Sequence, residues 1–114
     1  MLDKNKIKVP QDVFDLAEER LLSSAHQFKG KNFRCQFDIK GQSGGQWFIV
    51  INDKQKRVGQ GTIKQPVGTL IMEAADFLKL VRGELNIGMA FLMGQIKVKG
   101  DPQHIIQLAE TLLS

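Results

Sequence analysis

The sequence predicts an α+β protein, an antiparallel sheet covered by helices. Three observations carry that prediction. An apolar stripe at three-to-four spacing runs through residues 10–30, short runs from Phe33 onward alternate with period two, and further helical stripes enclose a last alternating run near the C-terminus.

Residues 1–9 are polar and lysine-rich and are expected to form a loose lead-in. From Pro10, a residue suited to a first helical turn, Phe14, Ala17, Leu21, Ala25 and Phe28 share one stripe until Gly30 stops the helix. Phe33 to Lys40 alternates: Phe33, Cys35, Phe37 and Ile39 face inward, while Arg34, Gln36, Asp38 and Lys40 face water. The glycine-rich Gly41–Gly45 is a turn. Gln46 to Asn52 is apolar on both faces and reads as a central strand. After a turn at Asn52–Gln55, Lys56 to Ile63 is a third, weaker strand, and short connections imply a meander. Thr69 to Met72 is a fourth strand running into a helix from about Ala74 to Arg82, ended by Gly83. Asn86 caps a short helix ended by Gly94. Gln95 to Lys99 alternates with Ile96 and Val98 inward and Lys97 and Lys99 outward. Asp101-Pro102 starts a final helix with Ile105, Leu108, Ala109 and Leu112 on one stripe.

The chain has 114 residues, 42% hydrophobic and 25% charged, which fits one globular domain over residues 10–114. Its longest apolar run, Ile87 to Met93, falls far short of the roughly 20 residues needed to span a bilayer. Met1 to Lys6 has no apolar core of a secretion signal, and one cysteine closes no internal disulfide, so a reducing, cytoplasmic setting is expected. A net charge of +4 allows weak attraction to anionic surfaces, but a merely solvated basic surface is the preferred reading.

Catalytic signatures are missing. Gly41–Gly45 lies between strands and opens no helix, and Gly59-Gln60-Gly61 lacks the third glycine of a dinucleotide loop. His26 and His104 stand alone on different helices and read as surface or helix-end residues. Cys35, in a buried alternation, reads as an inert core thiol. Glu73 and Asp76 complement a helix start. A sequence without tyrosine and with a single tryptophan offers a poor nucleic-acid platform, and Lys97 and Lys99 read as a solvated face before a phosphate stripe. No cofactor, metal or catalytic residue is assigned, and the protein is expected not to be an enzyme.

What the chain has in surplus is apolar surface. Phe77, Leu80 and Val81 form one stripe; Leu85, Met89, Phe91, Leu92 and Met93 follow at once; Ile105, Leu108 and Leu112 complete the set. The segment after Asn86 is apolar nearly all round, so it is enclosed on several sides or faces a void. Two readings fit this pattern, ordinary close-packed core and an apolar ligand cavity.

The stretch from Phe77 to Gly100, with Gly83, Leu85, Asn86, Ala90, Phe91, Gly94, Ile96, Lys97 and Val98 at fixed spacing, resembles the signature of the sterol carrier protein type 2 family. In layout the resemblance reaches back through Trp47 to the first helix, covering residues 10–113. It implies a five-stranded, mostly antiparallel sheet with helices over one face, and between them an apolar tunnel that accepts fatty acids, acyl-CoA, phospholipids or sterols. Met89, Phe91 and Met93 would then line or gate the cavity, so Met89→Glu should abolish lipid uptake. The chain departs from eukaryotic relatives in ending Leu112-Leu113-Ser114, without a peroxisomal tripeptide, and in lacking an acidic residue within Gln65–Gly68.

The function expected is therefore non-enzymatic lipid binding or transfer. The alternative is a ligand-free accessory or dimerising module of the same fold. Expected partners are a lipid or fatty-acyl ligand and an anionic membrane surface, with no specific nucleic acid, in a monomer or homodimer.

Overall fold

The computed structural model describes residues 4–113; Met1 to Asp3 of the expected lead-in, and Ser114, lie outside the described residues. The elements run α1 (Pro10–Ser23), β1 (Phe33–Lys40), β2 (Gly45–Ile51), β3 (Lys56–Gln60), β4 (Gly68–Glu73), α2 (Ala74–Val81), α3 (Ile87–Leu92), β5 (Lys97–Gly100) and α4 (Pro102–Leu113). Short 3-10 turns occupy Lys4–Lys6 and Ala25–Phe28.

The five strands form one sheet in the order β3-β2-β1-β4-β5. The pairs β1·β2, β2·β3 and β4·β5 are antiparallel, and β1·β4 is parallel. The sheet is thus mostly antiparallel, as expected, but it is not a simple meander. The connection after β3 passes β2 and β1, and the fourth strand pairs with the far side of the first, with Phe37 opposite Leu70. This return is physically anchored. Gln36 donates from Nε2 to the Gly61 carbonyl at 3.0 Å and accepts from the Ile63 amide at 3.1 Å, and the Arg34 guanidinium donates to the Lys64 carbonyl. Residues 61–67 therefore cross the outer face of β1. Gln36, expected in water, is buried beneath them, and β3 stops at Gln60 instead of Ile63.

On the inner face Phe33, Cys35, Phe37 and Ile39 of β1, Trp47, Ile49 and Ile51 of β2, and Leu70 and Met72 of β4 join one core with the helices. On the outer face Phe48 and Val50 are also buried; Phe48 lies under the Arg57 guanidinium and over Gly59, where a β-carbon would come within 2.7 Å of its ring. The two-faced apolarity of β2 is explained by this cover, and its position is interior, one place from the centre.

Two expectations for the N-terminal segment change. The first helix ends at Ser23, because Ser23-Ser24 favours a turn, and Phe28 regains the core through the 3-10 turn while Ala25 stays exposed. The lead-in is tied down over its described part: Ile7 is 1% exposed, and its carbonyl accepts from the Arg82 guanidinium at 2.6 Å. The Asp12 carboxylate accepts from the amides of Lys8 and Val9 and fixes the entry to α1.

Candidate functional site

Four aromatic rings set one end of the site. Phe14 of α1 stacks on Trp47 at 5.0 Å and meets the edge of Phe37 at 5.1 Å, with Phe77 of α2 at 5.8 Å. The Trp47 indole donates to Gln11 Oε1 at 2.9 Å, so the buried ring is polar-satisfied and α1 is pinned to β2. Beyond these rings the helices do not fill the space above the sheet. A cavity of about 740 Å³ opens there.

Its floor is the inner face of the sheet, through Phe37, Ile49, Leu70 and Val98. One wall is α1, through Val13, Phe14 and Ala17; another is α2 with the Gly83–Asn86 connection and α3; the roof is α4. Three polar side chains belong to the wall: Glu84, Asn86 and Glu110, all exposed, and they mark where the cavity meets water. Glu110 also borders a smaller polar hollow of about 320 Å³ next to Lys31, Asn32, Gln107 and Thr111.

Of the site residues expected from the sequence, Phe77, Leu80, Val81, Leu85, Phe91, Ile105, Leu108 and Leu112 come together on this wall. Met89, Leu92 and Met93 do not. They are 53%, 84% and 69% exposed, on the side of α3 away from the core that holds Ala90. The short helix is apolar all round yet enclosed on one side, so a charge at position 89 falls in solvent and the expected loss of uptake moves to Phe91. Residues that line the cavity without having been expected there include Val13, Phe14 and Ala17 of α1, Phe37, Ile49, Leu70 and Val98 on the floor, and Ile87, Ile96, Ile106 and Leu113. The inward positions of Phe14, Ala17 and Ile96 are legible in the sequence; those of Val13, Leu70 and Ile87, and the convergence of all of them on one void, are not.

The local chemistry that shapes α3 follows its sequence. Asn86 Oδ1 accepts from the Met89 amide at 3.0 Å, and the helix is bounded by Gly83 and Gly94 at φ +80° and +75°, a left-handed conformation costly for other residues. On the roof, Asp101 Oδ1 accepts from the Gln103 amide at 3.0 Å, and His104 Nε2 accepts from the Arg34 amide at 2.9 Å. That bond takes up an amide of β1 at a point where β4 has not yet begun. Burial lowers the His104 pKa below its ordinary value, against the pull of Asp101. Cys35 is fully buried, and burial pushes its thiol up to about 12, which favours the inert protonated form. Among the described residues, no group of three or more His, Cys, Asp or Glu is placed to hold a metal ion, and no helix is long and apolar enough to cross a membrane.

A helix-covered sheet enclosing an apolar cavity with a polar rim defines an α+β domain built around a greasy internal space. The chain matches the SCP-2 sterol transfer family over residues 13–113 and belongs to that family. It is 33% identical over 78 residues to hydroxysteroid dehydrogenase-like protein 2 of Rattus norvegicus, a match covering 68% of this chain and 15% of that protein. The chain therefore spans less than a fifth of that relative. Its fold is similar to sterol carrier protein 2 of Yarrowia lipolytica in the apo form, with a TM-score of 0.75 and 23% identity over 89% of this chain and 87% of the other. It is also similar to palmitated sterol carrier protein 2 like 2 of Aedes aegypti, with a TM-score of 0.63 and 26% identity over 88% and 94% of the two chains. Family membership supports lipid binding or transfer in general terms.

Proposed function

We propose that this protein is a non-enzymatic carrier that holds one lipid with its apolar body between sheet and helices and its polar end at the rim. The observation that carries the reading is the 740 Å³ cavity walled by apolar side chains, within the roughly 300–1,000 Å³ typical of small-molecule sites. Taking an aliphatic chain of about 14 carbons out of water is worth roughly 10 kcal/mol gross, and immobilising it costs several, so micromolar or tighter binding needs no charged contact. The palmitated Aedes relative supports an aliphatic guest, and the family name supports a sterol.

The rim narrows the class. Glu84 and Glu110 place negative charge where a polar end would emerge, so a neutral head, as in a sterol or fatty alcohol, is preferred over a carboxylate on the same chain. Net positive charge elsewhere fits weak docking to anionic membranes. A reducing, cytoplasmic compartment fits the lone buried thiol.

The test is a titration of purified, delipidated protein with dehydroergosterol, hexadecanol and palmitate. Saturable one-to-one binding is expected, with hexadecanol ahead of palmitate. Glu110→Gln should narrow that gap by about 2- to 5-fold, and Phe91→Glu should lower all three affinities at least tenfold. A protein that takes up none of the three is the ligand-free module instead.

A further inference from the structure

Carrying a lipid leaves open how deep the guest goes and which end leads, and the aromatic end of the cavity answers both. Phe14 of α1, Phe37 of β1 and Phe77 of α2 all line the cavity, and all three are buried. Beyond the floor, the next inward residue on each central strand is Ile39 after Phe37, Trp47 beyond Ile49 and Met72 after Leu70. These three are buried as well but stand outside the cavity wall, so the space stops at the phenyl rings. The rings are backed. Trp47 stacks on Phe14 at 5.0 Å with the planes 7° apart, its indole is fixed by Gln11, and Phe77 lies 5.8 Å from Phe14. The exposed polar residues of the wall lie elsewhere. Glu110 also borders the hollow beside Phe33, four residues and about 13 Å along β1 from Phe37. Glu84 follows Phe77 by seven residues, past the end of α2.

We propose that Phe14, Phe37 and Phe77 are the tail stop of the carrier: they fix the depth to which an aliphatic guest enters and so set its greatest length. The proposal rests on the carrier reading above. A guest whose polar end keeps to water at Glu84 and Glu110 sends its apolar end toward the rings. The reverse orientation would bury the polar end where the indole N–H is already taken by Gln11 and the phenyl rings offer no hydrogen bond. Each methylene that finds room gains affinity about fourfold. One that meets a ring backed by a second ring gains nothing, because the packed stack has no space to yield. An open groove would impose no such limit.

The test uses the full, delipidated chain and saturated primary alkanols from octanol to eicosanol. Affinity should climb with chain length and level off at one length. Emission from Trp47, the single tryptophan, should change only for alkanols at least that long, because it stands directly behind Phe14. Hexadecanol brominated at its terminal carbon should quench Trp47, and hexadecanol brominated beside the hydroxyl should not. Phe77→Leu should move the plateau by about one carbon and Phe77→Ala by about three, following the side-chain volume removed. If Phe77→Ala does not fold, Phe77→Leu reads the same shift. Leu113→Ala, on the α4 wall with Glu110, should weaken binding without moving the plateau. Affinity that rises through the whole series, a plateau unmoved by the Phe77 variants or moved equally by Leu113→Ala, or stronger quenching from bromine beside the hydroxyl overturns the stop and leaves the carrier standing. Protein that binds no alkanol, dehydroergosterol or palmitate refutes the carrier and, with it, the stop.

Discussion

His104 ties the roof of the cavity to β1, beside the buried Ile105, Leu108 and Leu112. Its Nε2 can accept the Arg34 amide while neutral, and a proton there turns the acceptor into a donor facing a donor. Burial, opposed by nearby Asp101, holds the folded-state pKa below the ordinary value. In the unfolded chain the imidazole takes up its proton at about pH 6.5. Between the two values the unfolded state binds more protons, so stability rises with pH there, is full above about pH 7, and declines as pH falls through 6.5 toward the folded value. Thermal denaturation across pH 5–8 should show that decline, and His104→Gln should flatten it. Exchange of the Arg34 amide should accelerate on acidification in the wild type. A slope identical in the variant would mean that other groups set the acid limit. Cys35 sits at the opposite extreme, a thiol so buried that its chemistry is suppressed and its role is packing.

Short elements depend on their ends more than on their middles. With six residues, α3 has too few internal hydrogen bonds to persist alone, so the Asn86 cap and the turn at Gly94 carry much of its definition. Asn86→Ala should cost about 1 kcal/mol. Faster exchange at the Met89 and Ala90 amides should localise the loss to α3, with the sheet unaffected. Because Ile87 and Phe91 stand on this helix, the same variant should also release lipid faster. By contrast α1 is held by tertiary contacts, through the Phe14 cluster and the Trp47–Gln11 bond.

In the whole molecule the void and the stability are in tension. Space above the sheet forgoes dispersion contacts that a filled core would make, and the aromatic cluster at its edge compensates. Phe14→Ala, which enlarges that void, should destabilise the ligand-free protein by about 3–5 kcal/mol. A bound lipid at a hundred times its dissociation constant should restore roughly 2.7 kcal/mol in any variant that still binds. Differential scanning calorimetry with and without dehydroergosterol separates the two effects. A wild-type protein whose melting ignores every lipid tried would argue that the space is not a binding site.

Local pattern alone made each strand and each α-helix visible, though not the 3-10 turns, because alternation and three-to-four stripes are written in neighbouring residues. Phe33 to Ile39, Asn86 with Gly94, and Asp101-Pro102 could all be placed by reading a few residues at a time. The burial of Gln36, the parallel pairing of β4 with β1 and the anchoring of Ile7 could not, since each depends on groups 25 or more positions distant. The same divide runs through the site. Sequence determined that too much apolar surface was present in the last third of the chain. Folding alone decided that Phe91 and Ile87 turn to the cavity while Met89, Leu92 and Met93 turn to solvent, because a helix apolar on every side carries no internal instruction about which side to bury.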